Sequence, residues 1–197
     1  MDTRTYDIEG FYEELVAHGL IVPTGVKGAY GRGPVFEDIL RRYDALVVRE
    51  AAPDNAQELT FPPIIARRMI EELGYLDNFP QLAGSVHSFM GNDREARELS
   101  TRVNSGQRWE DLLAPTDVML TPAACYPVYP TFSGLLPDSG RLVTVMNWVF
   151  RHEPSDEPTR LQHFRMREYI RVGKPQEVQE WRDAWLERGL ALLRRLR

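Results

Sequence analysis

The chain has 197 residues, 43% hydrophobic and 27% charged, values that suit one globular domain with a real core. A formal net charge of −5 excludes broad affinity for nucleic-acid phosphate, and no apolar run is long enough to span a membrane. The single cysteine excludes an internal disulfide and fits a reducing cytoplasm, and MDTRTYDIEG at the N-terminus lacks the apolar core of a signal peptide.

Tyr6 to His18 carries Ile8, Phe11, Tyr12, Leu15 and Val16 at helical spacing, which predicts a short helix. Gly19 to Gly33 holds five glycines and reads as a loop. Its GAYGRG run neither follows a clear strand nor has phosphate-loop spacing, so a flexible turn is expected there. Pro34 to Glu50 opens with proline in its first turn and aligns Val35, Ile39, Tyr43, Leu46 and Val47, an amphipathic helix with one apolar stripe. Leu59 to Pro63 reads as a short strand stopped by prolines, and Ile64 to Leu73 as a helix closed by Gly74. Asp93 to Leu99 and Trp109 to Leu113 are weaker helical stretches. Arg141 to Arg151 is β-branched and aromatic, and Leu161 to Gly173 alternates similarly. The polar loop Pro154 to Arg160 between them is too short for a crossover helix, so the two runs should form an antiparallel hairpin. Pro175 to Leu196 is a long amphipathic helix with Val178, Trp181, Trp185, Leu186, Leu190 and Leu193 as its stripe, the tryptophans directed to the core. The pattern is α+β, an antiparallel sheet covered by helices.

Alternation puts Val145, Asn147, Val149, Arg151 and Glu153 on one side of the outgoing strand, and Phe164, Met166, Glu168 and Ile170 on one side of the return. An Arg and a Glu leaving one strand beside a returning Phe suit a nucleotide. Arg holds phosphate, Glu accepts from an exocyclic amine, and Phe stacks under a base. The same residues also suit a cross-strand Arg–Glu pair with Phe164 in the core. Cys125 and Glu168 offer thiolate and carboxylate, donors suited to zinc, although a lone cysteine is also an ordinary buried hydrophobe. Phe164 and Glu168 lie about 13 Å apart along the strand, so one sheet floor can serve a base at one end and a metal-bound substrate at the other. His18 and His87 have no visible partner, and His152, facing away from Arg151 and Glu153, should pack. No GxxxxGK[ST] run occurs, so ATP would not sit in a P-loop.

The run FRHEPS (Phe150 to Ser155), the polar loop and the strand bearing Phe164 resemble motif 2 of the class II aminoacyl-tRNA synthetases. With TPAACYPVYP (Thr121 to Pro130) upstream and MREYIRVG (Met166 to Gly173) downstream, the chain from about Gly33 onward is similar to a smaller group. These are the amino acid:[carrier protein] ligases, relatives of the atypical, zinc-dependent seryl-tRNA synthetases. The helix, strand and prolines of residues 34–63 resemble class II motif 1, which in that family builds the dimer interface.

The resemblance implies a class II synthetase-like fold and a role for each matching residue. Arg151 would bind the ATP α-phosphate and neutralise the transition state as the amino-acid carboxylate attacks. Glu153 would hold the adenine amino group and Phe164 would stack on adenine. Cys125 and Glu168 would be zinc ligands. It further implies ATP, Mg2+ and Zn2+ as cofactors, activation of glycine or alanine as an aminoacyl-adenylate, transfer to the phosphopantetheine thiol of a carrier protein, and a homodimer. Such a site works by positioning and charge stabilisation. A seryl-tRNA synthetase core is the alternative, with the acidic balance and only about sixty residues before the motif 1 strand against it. A non-catalytic paralogue or partner subunit is a third reading. The family's second cysteine ligand and its motif 3 do not occur. The chain is thus expected to be a single catalytic-type domain, 1–197, either an N-terminal piece of a longer protein or a natural short form. The ending ALLRRLR, in mid-helix without a cap, favours the former.

Overall fold

Helix α1, Ile8–Ala17, opens at Asp7, whose carboxylate accepts the Gly10 N–H. The computed structural model describes residues 7–196, so Tyr6, the expected start of this helix, and Arg197 lie outside the described residues. The glycine-rich stretch is more ordered than a loop. Ile21–Val22 (β1) and Gly31–Arg32 (β2) pair antiparallel across it. Helix α2, Pro34–Ala51, begins with its proline as expected. Then follow β3 (Gln57–Leu59), β4 (Ile64–Ala66), α3 (Arg67–Glu72), α4 (Tyr75–Asn78), β5 (Ser85–Phe89), α5 (Asp93–Asn104), β6 (Leu113–Leu120), β7 (Arg141–Phe150), β8 (His163–Val172) and α6 (Pro175–Arg194). No described helix is long and apolar enough to cross a membrane.

The expected hairpin is present: β7 and β8 pair antiparallel along their whole length, Arg141 opposite Val172 and Phe150 opposite His163. The sheet is not wholly antiparallel, however. β3 lies on the other edge of β7 and runs parallel to it. Nothing local sets that direction, because the chain between β3 and β7 builds a second sheet, ordered β4-β6-β5, before it returns. This second sheet was not legible as such. Ile64–Ala66 is strand where a helix is expected, which suits its two β-branched isoleucines, and only Arg67–Glu72 is helical before Gly74. Pro115 and Asp117 mask the alternation of β6, whose Thr116 hydroxyl donates to the Val86 carbonyl at 2.9 Å. The Trp109 to Leu113 stretch reduces to one turn, Glu110–Leu112. Helix α5 runs beyond Leu99 because Asn92 and Glu95 close a capping box at its start and Arg102 pairs with Glu98 and Asp111 near its end.

One face of β7–β8 is the core. Val143, Val145, Val149 and Ile170 are buried there against Ala124, Cys125 and Val128. The second sheet has its own cluster, Ile65, Ile70, Tyr75 and Met119, and Tyr126 packs against both clusters. Asn147, buried in the middle of β7, donates to the Pro62 carbonyl at 3.0 Å, which satisfies it. The opposite face is held by charge and rings. Arg165 forks onto Glu37 (2.8 and 3.1 Å) and Arg167 onto Asp44 (2.5 and 3.0 Å), fixing α2. Tyr169 stacks on Trp185 at 4.9 Å, and Trp185 and Arg188 both bond Asp54, fixing α6. The expected stripe of α6 therefore holds in its first half, where Val178, Trp181 and Trp185 are half-buried, and fails in its second. Leu192 is buried, whereas Leu186, Leu190 and Leu193 are exposed. The α2 stripe also divides: Leu46 and Val47 are half-buried, while Val35, Ile39 and Tyr43 face solvent.

Candidate active site

The core face of β7–β8 is the floor of the site. Register places Val149 opposite Phe164, Asn147 opposite Met166 and Val145 opposite Glu168. Paired residues in an antiparallel ladder share a face, so Phe164, Met166 and Glu168 stand in a row as the alternation predicts. Phe164 and Met166 are half-buried against the valines. The proline-bearing connection after β6, Thr121 to Phe132, folds over this floor as tight turns, with Val128 N–H donating to the Cys125 carbonyl at 2.9 Å.

Arg151 lies one residue past the end of β7, half-buried. Its N–H donates to the Gln162 carbonyl at 2.9 Å, and its Nε donates to the Pro122 carbonyl at 3.1 Å. The guanidinium carbon is 5.7 Å from the centre of the Phe164 ring. Among the described residues its terminal nitrogens have no hydrogen bond and no ion pair, so one edge of the guanidinium is uncommitted. Tyr75 and Tyr126 meet edge to face at 5.8 Å nearby. Burial raises both phenols above their ordinary pKa, and the Arg151 charge opposes that rise. The Tyr75 hydroxyl and the Thr121 hydroxyl are buried without a hydrogen-bond partner among the described residues.

Glu153 does not pair with Arg151. Its N–H donates to the Arg151 carbonyl at 2.8 Å and its carboxylate takes Arg160 at 2.8 Å, so the cross-strand Arg151–Glu153 alternative does not form. His152, expected to pack, is exposed, and its N–H donates to the Leu82 carbonyl at 3.0 Å. The turn it occupies has left the pleat of β7, so strand alternation no longer sets where it points.

Cys125 and Glu168 do converge. The Cys125 N–H donates to Glu168 Oε1 at 3.0 Å, bridging 43 residues of sequence. The thiol is 8% exposed; burial, then its hydrogen bond to Glu168, push it up to about 12. Tyr129, also bonded to this thiol, is likewise raised to about 12, chiefly by burial. A zinc site in an enzyme takes at least three protein ligands. The described residues hold no group of three His, Cys, Asp or Glu able to bind a metal, so Cys125 and Glu168 by themselves do not make a zinc site.

The structure therefore joins Arg151 to Phe164 and Cys125 to Glu168, and turns Glu153 towards Arg160. Sequence reasoning missed the Pro122 carbonyl, Tyr75, Tyr126, Tyr129 and Gln162. The YPVY run inside the cysteine segment was a usable signal for its two tyrosines, Tyr126 and Tyr129. Tyr75 carries no local mark, since only the meeting of distant elements brings it near Arg151, whereas Gln162 is the next rung of the expected hairpin and what it lacked was a sign of its contact with Lys27 and Gly28.

The fold is like that of class II aminoacyl-tRNA synthetases. All of the chain superposes on 40% of M. kandleri SerRS, solved with A. aeolicus tRNASec, at TM-score 0.77 and 17% identity. Giardia lamblia prolyl-tRNA synthetase matches 89% of the chain at TM-score 0.66 and 17% identity, over 33% of its own chain. Within that fold the chain is a homologue of named ligases. It is 40% identical over 185 residues to amino acid–[acyl-carrier-protein] ligase 1 of Bradyrhizobium diazoefficiens, covering 92% of this chain and 56% of that protein. Ligase 2 of the same organism is 37% identical over 183 residues, covering 92% and 54%. A type-2 serine–tRNA ligase of Methanocaldococcus jannaschii is 25% identical over 190 residues, covering 87% and 36%. The chain thus spans about half the length of the two carrier-protein ligases it matches. No family model matches it.

Proposed function

We propose that this chain is a catalytic-type domain of an ATP-dependent amino acid:[carrier protein] ligase, acting in the cytoplasm as part of a homodimer. The observation that carries the reading is the arrangement of Arg151: a half-buried guanidinium, tied at Nε to the Pro122 carbonyl, above the Phe164 ring and otherwise uncommitted. Held this way, Arg151 meets the α-phosphate of ATP, bound with Mg2+, and stays beside it while the amino-acid carboxylate attacks and pyrophosphate leaves. Charge that builds on the phosphoryl oxygens is then met by a donor already in place. Phe164, half-buried beside Arg151, would stack on adenine. Glu153 accepts from the adenine amino group after giving up Arg160, an exposed partner that costs little to release. The product is an aminoacyl-adenylate, which the phosphopantetheine thiol of a carrier protein attacks, releasing AMP.

At the other end of the floor, Cys125 and Glu168 would contribute two ligands to zinc, with a third from outside the described residues. Bound zinc would hold the substrate's α-amino group. The resemblance to the carrier-protein ligases favours glycine or alanine as the amino acid. Amino-acid-dependent exchange of pyrophosphate into ATP by the intact protein, followed by acylation of a holo carrier protein, tests the reading. Absence of any amino-acid-dependent exchange would reject it.

A seryl-tRNA synthetase-like role is the second reading, supported by the 25% identity to the Methanocaldococcus jannaschii serine–tRNA ligase. The net charge of −5 weighs against a tRNA partner.

A further inference from the structure

Gln162 ties Arg151 to the glycine-rich turn near the N-terminus. Its carbonyl accepts the Arg151 N–H at 2.9 Å, the last backbone rung before the β7–β8 loop opens. Its own N–H donates to the Gly28 carbonyl at 2.6 Å, and its side-chain Nε2 donates to the Lys27 carbonyl at 2.6 Å. The residue is 5% exposed, so none of these groups has water as a ready substitute. Gly28 is suited to the contact twice over. Its φ is +71°, and a Cβ there would come within 3.1 Å of Arg160 O, Gln162 N and Gln162 Cγ. The same turn also reaches the loop through the Lys27–Asp156 ion pair at 2.6 Å. Beside it, Phe11, Leu20, Phe36, Pro158 and Leu161 line one apolar cavity of about 360 Å³, shared by α1, β1, α2 and the loop. The GAYGRG turn is therefore a strut against the β7–β8 loop and not a free coil.

We infer that Gln162 is a positioning residue: clamped by the Lys27–Gly28 turn, it fixes the backbone of Arg151 and the root of the loop, so that the guanidinium meets the phosphates of a nucleoside triphosphate already ordered. This rests on the role proposed for Arg151. Ordering a loop during binding opposes binding through lost conformational freedom, and a contact that orders it beforehand removes that cost. The signature is specific to the nucleotide. Loss of the clamp weakens ATP and leaves the amino-acid end of the floor, on β8 and the Cys125 turn, as it was.

Three variants of the intact protein separate this role from a merely structural one. Gln162→Met keeps the length of the side chain and removes its donor. Gly28→Ala crowds the turn. Lys27→Ala deletes the exposed ammonium and keeps the carbonyl that Gln162 uses. Hydrogen exchange followed by mass spectrometry reads residues 151–162, and pyrophosphate exchange gives KM for ATP and for the amino acid separately. Gln162→Met and Gly28→Ala should speed amide exchange in 151–162 and raise KM for ATP roughly tenfold or more, with KM for the amino acid unchanged. Lys27→Ala loses only the exposed ion pair to Asp156, so its amide exchange and KM for ATP should change far less than those of Gln162→Met. Unaltered amide exchange in Gln162→Met, or faster amide exchange with an unaltered KM for ATP, overturns the clamp alone. An unsubstituted protein without pyrophosphate exchange removes the ligase reading and the clamp's purpose together. Should Gly28→Ala fail to fold, Gln162→Met decides.

Discussion

The backbone N–H of Cys125 donates to Glu168 Oε1 at 3.0 Å, so a turn after β6 is pinned to the middle of β8 by a charge-assisted bond. This bond places a thiol, a carboxylate and two tyrosines at one end of a sheet floor whose other end carries Phe164 and Arg151. The two ends are read here as the amino-acid and nucleotide ends of one adenylating site, and each can be tested apart from the other.

Arg151→Ala in the intact protein should lower amino-acid-dependent pyrophosphate exchange by at least about 100-fold while circular dichroism and melting temperature stay close to the original. Arg151→Lys should also be poor, because a point charge lacks the guanidinium fork that meets phosphate and the Pro122 carbonyl together. Normal exchange by a folded Arg151→Ala protein would remove Arg151 from the chemistry.

Labelled glycine or alanine should appear on a holo carrier protein, and serine tRNA should stay uncharged. The measurement is acid-precipitable label on each acceptor, offered separately. Efficient charging of tRNA with no carrier acylation would reverse the order of the two readings.

The exposed α2 residues Val35, Ile39 and Tyr43, at 59%, 55% and 38%, lie on the helix expected to build a twofold interface. Sedimentation should give a dimer at micromolar concentration, and Ile39→Asp should give a folded monomer. A monomer for the unsubstituted protein would leave this face without its expected cover.

Cys125 should resist alkylation. With its folded pKa at about 12 against an ordinary 9.0, the thiolate fraction at pH 8 falls roughly a thousandfold below that of a free thiol. The raised value also fixes a sign: this group's contribution to stability is complete below about pH 9 and is lost as pH climbs through about 12. Iodoacetamide labelling at pH 8 should be slow in the folded protein and fast in urea. Rapid labelling without denaturant would show that the thiol is not held as the structure has it.

Zinc must displace the Cys125 proton and recruit Glu168 from the Cys125 N–H, and two ligands alone do not hold it. Residues 1–197 by themselves should therefore carry little zinc, whereas a form that supplies a third donor should carry one equivalent, lost in Cys125→Ala. Elemental analysis decides. Full occupancy in a Cys125→Ala protein would rule out this ligand assignment.

The hairpin β7–β8 was determined by sequence alone, because period-two alternation and a short polar loop leave one arrangement for a strand pair with a buried face. The order of Phe164, Met166 and Glu168 along one face came from the same rule. Helical spacing of apolar residues did the same for α2, with its first-turn proline, and for the length of α6. Tertiary structure decided the rest. The parallel pairing of β3 and the sheet β4-β6-β5 depend on partners far away in sequence, and Pro115 and Asp117 break the pattern that would have announced β6. Asp54 holds α6 through Trp185, a member of its apolar stripe, and through Arg188, which is not, and the later leucines of the stripe are left exposed. The turn of Glu153 towards Arg160 and the seating of Gly28 on Gln162 belong to the same class. Periodicity reports which face of one element is buried. It does not say which carbonyl, carboxylate or turn will stand opposite once distant elements meet.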